Sequence, residues 1–199
     1  LPEFGMLFKA DTDLSVLTWY GEGPDESYVD RRGGARLGVY QQAVEDQVTE
    51  YLRPQESGSH TGVRWAEVTD EKGRGLRFEA PVPMEFAAQP WSPFEIENAA
   101  YHVELPPIQN TFIRPALARR GVAGDDTWGS RPHKEYLIPA EPMVFRFSFQ
   151  GVMQRPDPSS LARSAALYSW RSCPFRPGSI LELGRRFPTA RAPPATIGV

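Results

Sequence analysis

The segment MVFRFSF, residues 143–149, restricts the fold most, because apolar side chains recur at every second position. Four apolar side chains share one face of such an extended segment: Met143, Phe145, Phe147 and Phe149. A period of two is typical of a strand with one buried face and one solvated face. The segment therefore predicts a strand of an antiparallel sheet.

Further segments show strand-like alternation, namely LSVLTWYG, GVRWAEVTD, GLRFEA and YHVELP. Because TDEKGRG joins the second and third of these and contains two glycines, residues 62–80 are predicted to form a hairpin. The 20 Pro and 17 Gly of the chain favour frequent turns over long helices. We therefore predict an all-β fold, an antiparallel β-sandwich.

One short helix is predicted in SPFEIENAA, where Ser92 is a good N-cap, Pro93 suits the first helical position and Glu95 completes a capping box. The segment GVYQQAVEDQVTEYL is ambiguous, because apolar residues recur every four positions while β-branched residues are frequent. We expect it to be irregular, with a possible helical turn.

Charge divides the chain into an acidic body and a basic tail. Residues 1–150 carry 15 Lys and Arg against 23 Asp and Glu, whereas residues 151–199 carry 7 Arg against 2 acids. Phosphate binding depends on clustered Lys and Arg, so we expect no nucleic-acid partner for the body. The tail is rich in Pro and Arg and lacks apolar periodicity, so we expect residues 151–199 to be poorly ordered.

Several other classes of protein are disfavoured. The single Cys173 excludes an internal disulfide, and the three scattered histidines do not have metal-ligand spacing. No apolar run approaches the roughly 20 residues that span a bilayer, and the N-terminal residues do not resemble a signal peptide. We therefore expect a cytoplasmic protein with no membrane partner and no metal or other cofactor in this chain.

Three segments are too particular to be generic loops: WYGEGPDESYVDR at 19–31, YLRPQESGSHTGVRW at 51–65 and GVAGDDTWGSRPHKEYLIPA at 121–140. In residues, order and spacing they resemble the C-terminal β-sandwich domain, or small-chain domain, of family 2 β-galactosidases. The resemblance covers residues 1–150 and implies a supersandwich like that of galactose mutarotase. It also implies that the domain is N-terminally incomplete here, since the family sandwich has earlier strands. Residues 151–199 resemble nothing in the family.

The resemblance implies a part of an enzyme that removes terminal non-reducing β-D-galactose from lactose-type substrates with retention of configuration. In the family, both catalytic glutamates lie in a barrel domain, usually with Mg²⁺ and a monovalent cation nearby. The implied partners are that barrel domain or a large subunit, the β-galactoside and further copies of the enzyme. No catalytic carboxylate maps onto this chain, so the isolated chain is expected to be inactive.

The loop GVAGDDTWGSR, residues 121–131, is the candidate binding element and is called the Trp loop below. Asp125 and Asp126 are sequence neighbours, whereas the two carboxylates of a glycosidase lie ~5 to 10 Å apart on opposite sides of the scissile bond. We therefore expect Asp125, Asp126, Gly124 and Gly129 to shape a rigid loop that presents Trp128, whose indole suits the apolar face of a sugar. The resemblance implies the same role, beside the aglycone part of the substrate.

Other interpretations remain open. The chain could bind saccharides without a catalytic partner, or it could be purely structural, with Trp128 in its own core. The segment 19–31 could be a simple tight turn or a contact surface for another domain. Glu56 could pair with Arg53 or Arg64, and we expect His60, His102 and His133 to be surface or interface residues.

Overall fold

A computed structural model describes residues 1–126, 128–153 and, for the backbone alone, 180–184. Its nine strands are β1 Glu3–Gly5, β2 Phe8–Ala10, β3 Val16–Gly23, β4 Arg36–Ala43, β5 His60–Thr69, β6 Gly75–Gln89, β7 Thr111–Arg119, β8 Val144–Val152 and β9 Ile180–Gly184. The described residues contain one α-helix, α1 Pro93–Asn98, and three 3₁₀ turns, Glu45–Gln47, His102–Glu104 and Lys134–Tyr136. The described part of the chain confirms the predicted all-β sandwich class with one short helix.

All strand pairs are antiparallel, and the main sheet has the order β1-β7-β6-β5-β3-β4. β2 pairs with β7 beside β1, and β8 pairs with β6. The long strand β6 holds this arrangement together, because β5 follows one of its edges while β8 and β7 occupy two halves of the other. Pro81 and Pro83 lie where its register with β5 shifts, at a position where a missing N–H is tolerated.

The core lies between β2, β8 and the middle strands of the sheet. The ring of Phe8 meets the rings of Phe78 and Phe149 edge-on, with centroids 5.3 and 5.4 Å apart. Phe145 and Phe147 are buried, while the intervening Arg146 is exposed, so the alternation in 143–149 is confirmed. The buried cluster comprises Leu17, Trp19, Val44, Val63, Ala66, Val68, Phe78, Met84, Phe86, Ala88, Ile113, Phe145 and Phe147.

Two local predictions are confirmed in detail. β5 and β6 form the expected hairpin, whose turn is closed by Asp70, since its Oδ1 accepts the backbone N–H groups of Lys72 and Arg74 at 2.9 and 2.8 Å. The helix begins at Pro93 as predicted. Ser92 caps it by accepting the N–H of Glu95, and Glu95 accepts the N–H of Ser92 in return.

Two other predictions are wrong. YHVELP forms a 3₁₀ turn at His102–Glu104 instead of a strand. Its alternating apolar side chains are not covered by a neighbouring strand, since Val103 is 93% exposed, and Glu104 folds back to accept the N–H of Ala100 at 2.8 Å. The segment expected to be irregular begins instead with β4, whose eight residues all pair with β3, although its 3₁₀ turn does follow.

The expected tail falls mostly outside the described residues. β8 continues to Val152, and Ile180–Gly184 pairs with β8 as β9. Residues 151–199 were predicted to be poorly ordered. Most of them, residues 154–179 and 185–199, lie outside the described part of the chain.

Candidate functional site

The first two signature segments are joined where β3 ends. The N–H of Ser27 donates to the carbonyl of Ser59 at 2.7 Å, and the N–H of Thr61 donates to the hydroxyl of Ser27 at 2.9 Å. Glu26 accepts the N–H of Gly58 at 2.8 Å. The segment 19–31 is therefore an integral part of the fold, fixed against 51–65.

Charged side chains of β7 support this junction. Arg114 is 2% exposed, and its guanidinium donates to both carboxylate oxygens of Glu56, at 3.0 and 2.5 Å. Glu56 also accepts a hydrogen bond from the hydroxyl of Tyr28 at 3.3 Å. Loss of hydration opposes ionisation of Glu56, but the charge and hydrogen bonds of Arg114 outweigh it and hold the pKa of Glu56 below its usual range. The expected partners Arg53 and Arg64 are wrong, because the arginine that reaches Glu56 comes from a distant strand.

A second buried arginine, Arg119, ties the end of β7 to the same junction. Its Nε donates to Glu3 at 2.9 Å, one terminal nitrogen donates to the hydroxyl of Ser59, and the other donates to the carbonyl of Arg114 at 2.7 Å. Neither arginine was predicted from the sequence as part of the site. The available signal was their position in TFIRPALAR, an otherwise mostly apolar strand, where a charge needs a partner.

The third signature segment, which contains the Trp loop, begins two residues after Arg119. Asp126 accepts the backbone N–H groups of Trp128 and Ser130 at 2.8 and 3.3 Å. Together with the side chain of Ser130, these donors lower the pKa of Asp126. Asp125 accepts a hydrogen bond from Nε2 of His133 at 2.8 Å, and this bond raises the pKa of His133. Both acids are therefore engaged within the third signature segment.

Two glycines are required by the shape of the loop. A Cβ atom on Gly124 would lie 2.3 Å from the carbonyl oxygen of Ser130, so any side chain there would force the two sides apart. Gly129 has a φ of +102°, which L-residues with a side chain rarely adopt. Between them, the side chain of Trp128 is 92% exposed, so it does not belong to the core of this chain. The loop thus presents a flat apolar surface to its surroundings.

A polar cleft of about 340 Å³ lies beside the first segment. Its lining includes an ion pair between Glu22 and Arg32, together with Arg64 and Glu85. Burial raises the pKa of Glu85 to about 6, and Oε2 of Glu85 is buried without a hydrogen-bond partner among the described residues. Glu85 was not predicted as a site residue, because its burial follows from the packing of β6 against other strands.

The histidines differ in their surroundings. His60 is 1% exposed, so its prediction as a surface or interface residue is wrong. Its ring stacks on the indole of Trp19 with centroids 3.9 Å apart, and Nε2 lies 2.6 Å from Oε1 of Gln47. His102 and His133 are exposed, as expected. Among residues 1–126 and 128–153, no group of three or more His, Cys, Asp or Glu side chains is arranged to hold a metal ion.

Together these features define an antiparallel β domain whose three signature segments converge and display an exposed tryptophan. The family model described as the beta galactosidase small chain matches residues 1–150. The chain therefore belongs to the β-galactosidase small-chain family. Within the described residues, no helix is long and apolar enough to cross a membrane.

Similar proteins that are named β-galactosidase or β-galactosidase small subunit agree with this assignment. The chain is 43% identical over 138 residues to a β-galactosidase of Priestia megaterium and 44% identical over 138 residues to one of Streptococcus thermophilus. Each match covers 69% of this chain, but only 13% and 14% of those proteins. A β-galactosidase small subunit of Latilactobacillus sakei is 33% identical over 151 residues, covering 70% of this chain and 47% of the subunit. The chain thus spans about one seventh of the first two relatives.

Proposed function

We propose that this chain is the C-terminal domain or the small subunit of a β-galactosidase that hydrolyses terminal β-D-galactosides such as lactose. In this role it packs against a catalytic barrel domain or large subunit, which carries the two glutamates of the retaining reaction and the metal ions. Family membership and the names of the relatives support the proposal. The isolated chain is accordingly inactive, because the separated acid and nucleophile belong to its partner.

The observation that carries the proposal is the exposure of Trp128 on a loop braced by its own acids. Trp128 is 92% exposed, and its flat indole has a large apolar surface that can stack on another molecule. We assign Trp128 to the aglycone side of the active site, where its face stacks on the sugar that galactose leaves. The galactose itself is held by the catalytic part.

The test is Trp128→Leu in the complete enzyme that contains this domain. Leucine remains apolar but removes the flat ring, which contributes on the order of 1 kcal/mol, or roughly a five-fold loss of affinity. Inhibition by glucose, which occupies the aglycone side, should weaken about five-fold, while inhibition by a galactose analogue should not change. Phe94→Leu is the matched control, since Phe94 is also an exposed aromatic residue but lies on α1, near the opposite end of β7.

Equal weakening of both inhibitors by Trp128→Leu, or no weakening of either, would contradict the proposed role of Trp128.

A second candidate function is recognition of saccharides by this domain without a catalytic partner, which the exposed indole also favours. Titration of the 199-residue chain with lactose, followed by tryptophan fluorescence, separates the two. A saturating change that Trp128→Leu abolishes supports the second function, and no change at millimolar lactose supports the first.

A further inference from the structure

Asp30 links the body of the fold to the Trp loop. It lies in a two-residue turn whose ends, Tyr28 and Arg31, exchange backbone hydrogen bonds of 3.1 and 2.9 Å. Tyr28 is 1% exposed, and its hydroxyl donates to Glu56. The backbone of Asp30 is therefore held between Tyr28, which belongs to the buried junction of the first two signature segments, and the exposed Arg31.

The carboxylate of Asp30 reaches the start of the Trp loop. Oδ2 accepts the N–H of Ala123 at 2.8 Å. Gly121 lies so close that a Cβ atom on it would be 2.2 Å from the same oxygen, and its own N–H donates to the carbonyl of Tyr136 at 2.7 Å. The first residues of the loop are thus clamped between Asp30 and the segment that follows the loop.

Asp125 and Asp126 have a different function from Asp30. Their hydrogen bonds join residues of the third segment to one another, so they fix the shape of the loop but not its place on the domain. The bond from Ala123 to Asp30 crosses 93 residues of sequence and connects the loop to the end of β3. Asp30 can therefore determine the position of Trp128 relative to the rest of the molecule.

We infer that Asp30 is the positioning residue of the Trp loop and thereby controls binding of the aglycone sugar. This inference rests on the proposed function of Trp128. Asp30 does not touch the sugar, and acts only by placing the indole. Its removal therefore costs no more than removal of the indole itself, and it leaves the binding of galactose unchanged.

The experiment compares Asp30→Ala, Asp30→Asn and Asp70→Ala in the complete enzyme, each with and without Trp128→Leu. Asp70 is the matched control because its carboxylate also accepts backbone N–H groups, but in the turn beyond the opposite end of β3. Asp30→Ala should weaken glucose inhibition two- to five-fold, without changing inhibition by a galactose analogue. Asp30→Asn keeps an oxygen acceptor for Ala123 and should lose less than two-fold, and Asp70→Ala should lose nothing.

The double variant decides whether Asp30 acts through Trp128. In the Trp128→Leu background, Asp30→Ala should add less than a two-fold loss, because contacting or coupled residues are not additive. A full additional loss there would show an effect unrelated to the indole and would overturn the inference. If Trp128→Leu weakens glucose inhibition and Asp30→Ala does not, the proposed function stands and the inference is wrong.

A second measurement does not depend on sugar binding. Asp30→Ala should speed deuterium exchange of the Ala123 amide and of the amides around it, while Asp70→Ala should not. Unchanged exchange in Asp30→Ala would overturn the inference even if Trp128→Leu itself has no effect on inhibition. If Asp30→Ala fails to fold, Gly121→Ala replaces it, because its added Cβ displaces the same carboxylate.

Discussion

His60 should make the domain unstable in mild acid. The ring is buried against Trp19, and burial lowers the pKa of His60 from its ordinary 6.5 to about 3. Gln47 uses its amide nitrogen to donate to Gln42, so its oxygen is free to accept from Nε2 of His60. This contact suits a neutral ring that carries its proton on Nε2.

The size of the effect follows from the two pKa values. Because the folded pKa is depressed, the unfolded chain binds a proton at His60 below pH 6.5 while the folded chain does not, so stability falls as the pH falls. At pH 5 the unfolded state gains about 2 kcal/mol from this protonation, and at pH 7.5 it gains almost nothing. The pKa of His60 in the folded state has little effect on this difference in stability, provided that it remains below roughly 4.

The assay is urea unfolding of the chain between pH 5.0 and 7.5, comparing the parent with His60→Gln. Glutamine still donates to Gln47 but does not titrate, so the variant should lose about 2 kcal/mol less than the parent between these pH values. Its stability at pH 7.5 should be lower, because the stacking on Trp19 is gone. His133→Gln is the control and should keep the steep profile of the parent. Parallel profiles for the parent and His60→Gln would refute the reasoning.

Two further predictions concern buried charges. Burial raises the pKa of Glu85, so the folded state favours the protonated form and its stability falls as the pH rises from about 4.5 to 6. Glu85→Gln should therefore stabilise the chain by on the order of 2 kcal/mol at pH 7.5 but not at pH 4, as measured by urea unfolding. Glu56→Ala leaves the charge of Arg114 buried and should lower the free energy of unfolding by roughly 3 kcal/mol at pH 7. Adding Arg114→Met should recover part of that loss, and a fully additive double variant would show that the two residues are not coupled.

Local patterns predicted those elements whose cause is local. The alternation in 143–149, the glycine-rich hairpin turn and the Ser92 capping box each depend on residues a few positions apart. β4 was not predicted, because its apolar and polar side chains alternate only weakly. Among the described residues it is an edge strand that pairs only with β3. YHVELP was predicted to be a strand but is not one. Its apolar and polar side chains do alternate, but no described strand packs against them.

The sequence indicated which residues make up the candidate site, but not the contacts that connect them to the rest of the domain. The sequence singled out Trp128 and the acids and glycines around it, because an indole beside two carboxylates is unusual in a loop. It did not reveal that Asp30 holds the loop, that Arg114 reaches Glu56 or that His60 is buried. Each of those contacts joins segments that only the folded sheet brings together.

The pairing of β1 with β7 has a consequence for the order of folding. Glu3 and Arg119 are register partners 116 positions apart, so the first strand must wait for the seventh before it can add to the sheet. Closing such a large loop is slow, and folds dominated by distant pairings form on timescales of roughly milliseconds to seconds. The Trp loop follows β7 directly, so it is placed on the domain no earlier than β7 itself. On a ribosome, this domain completes its core only after β8, which ends at Val152, has also emerged from the exit tunnel.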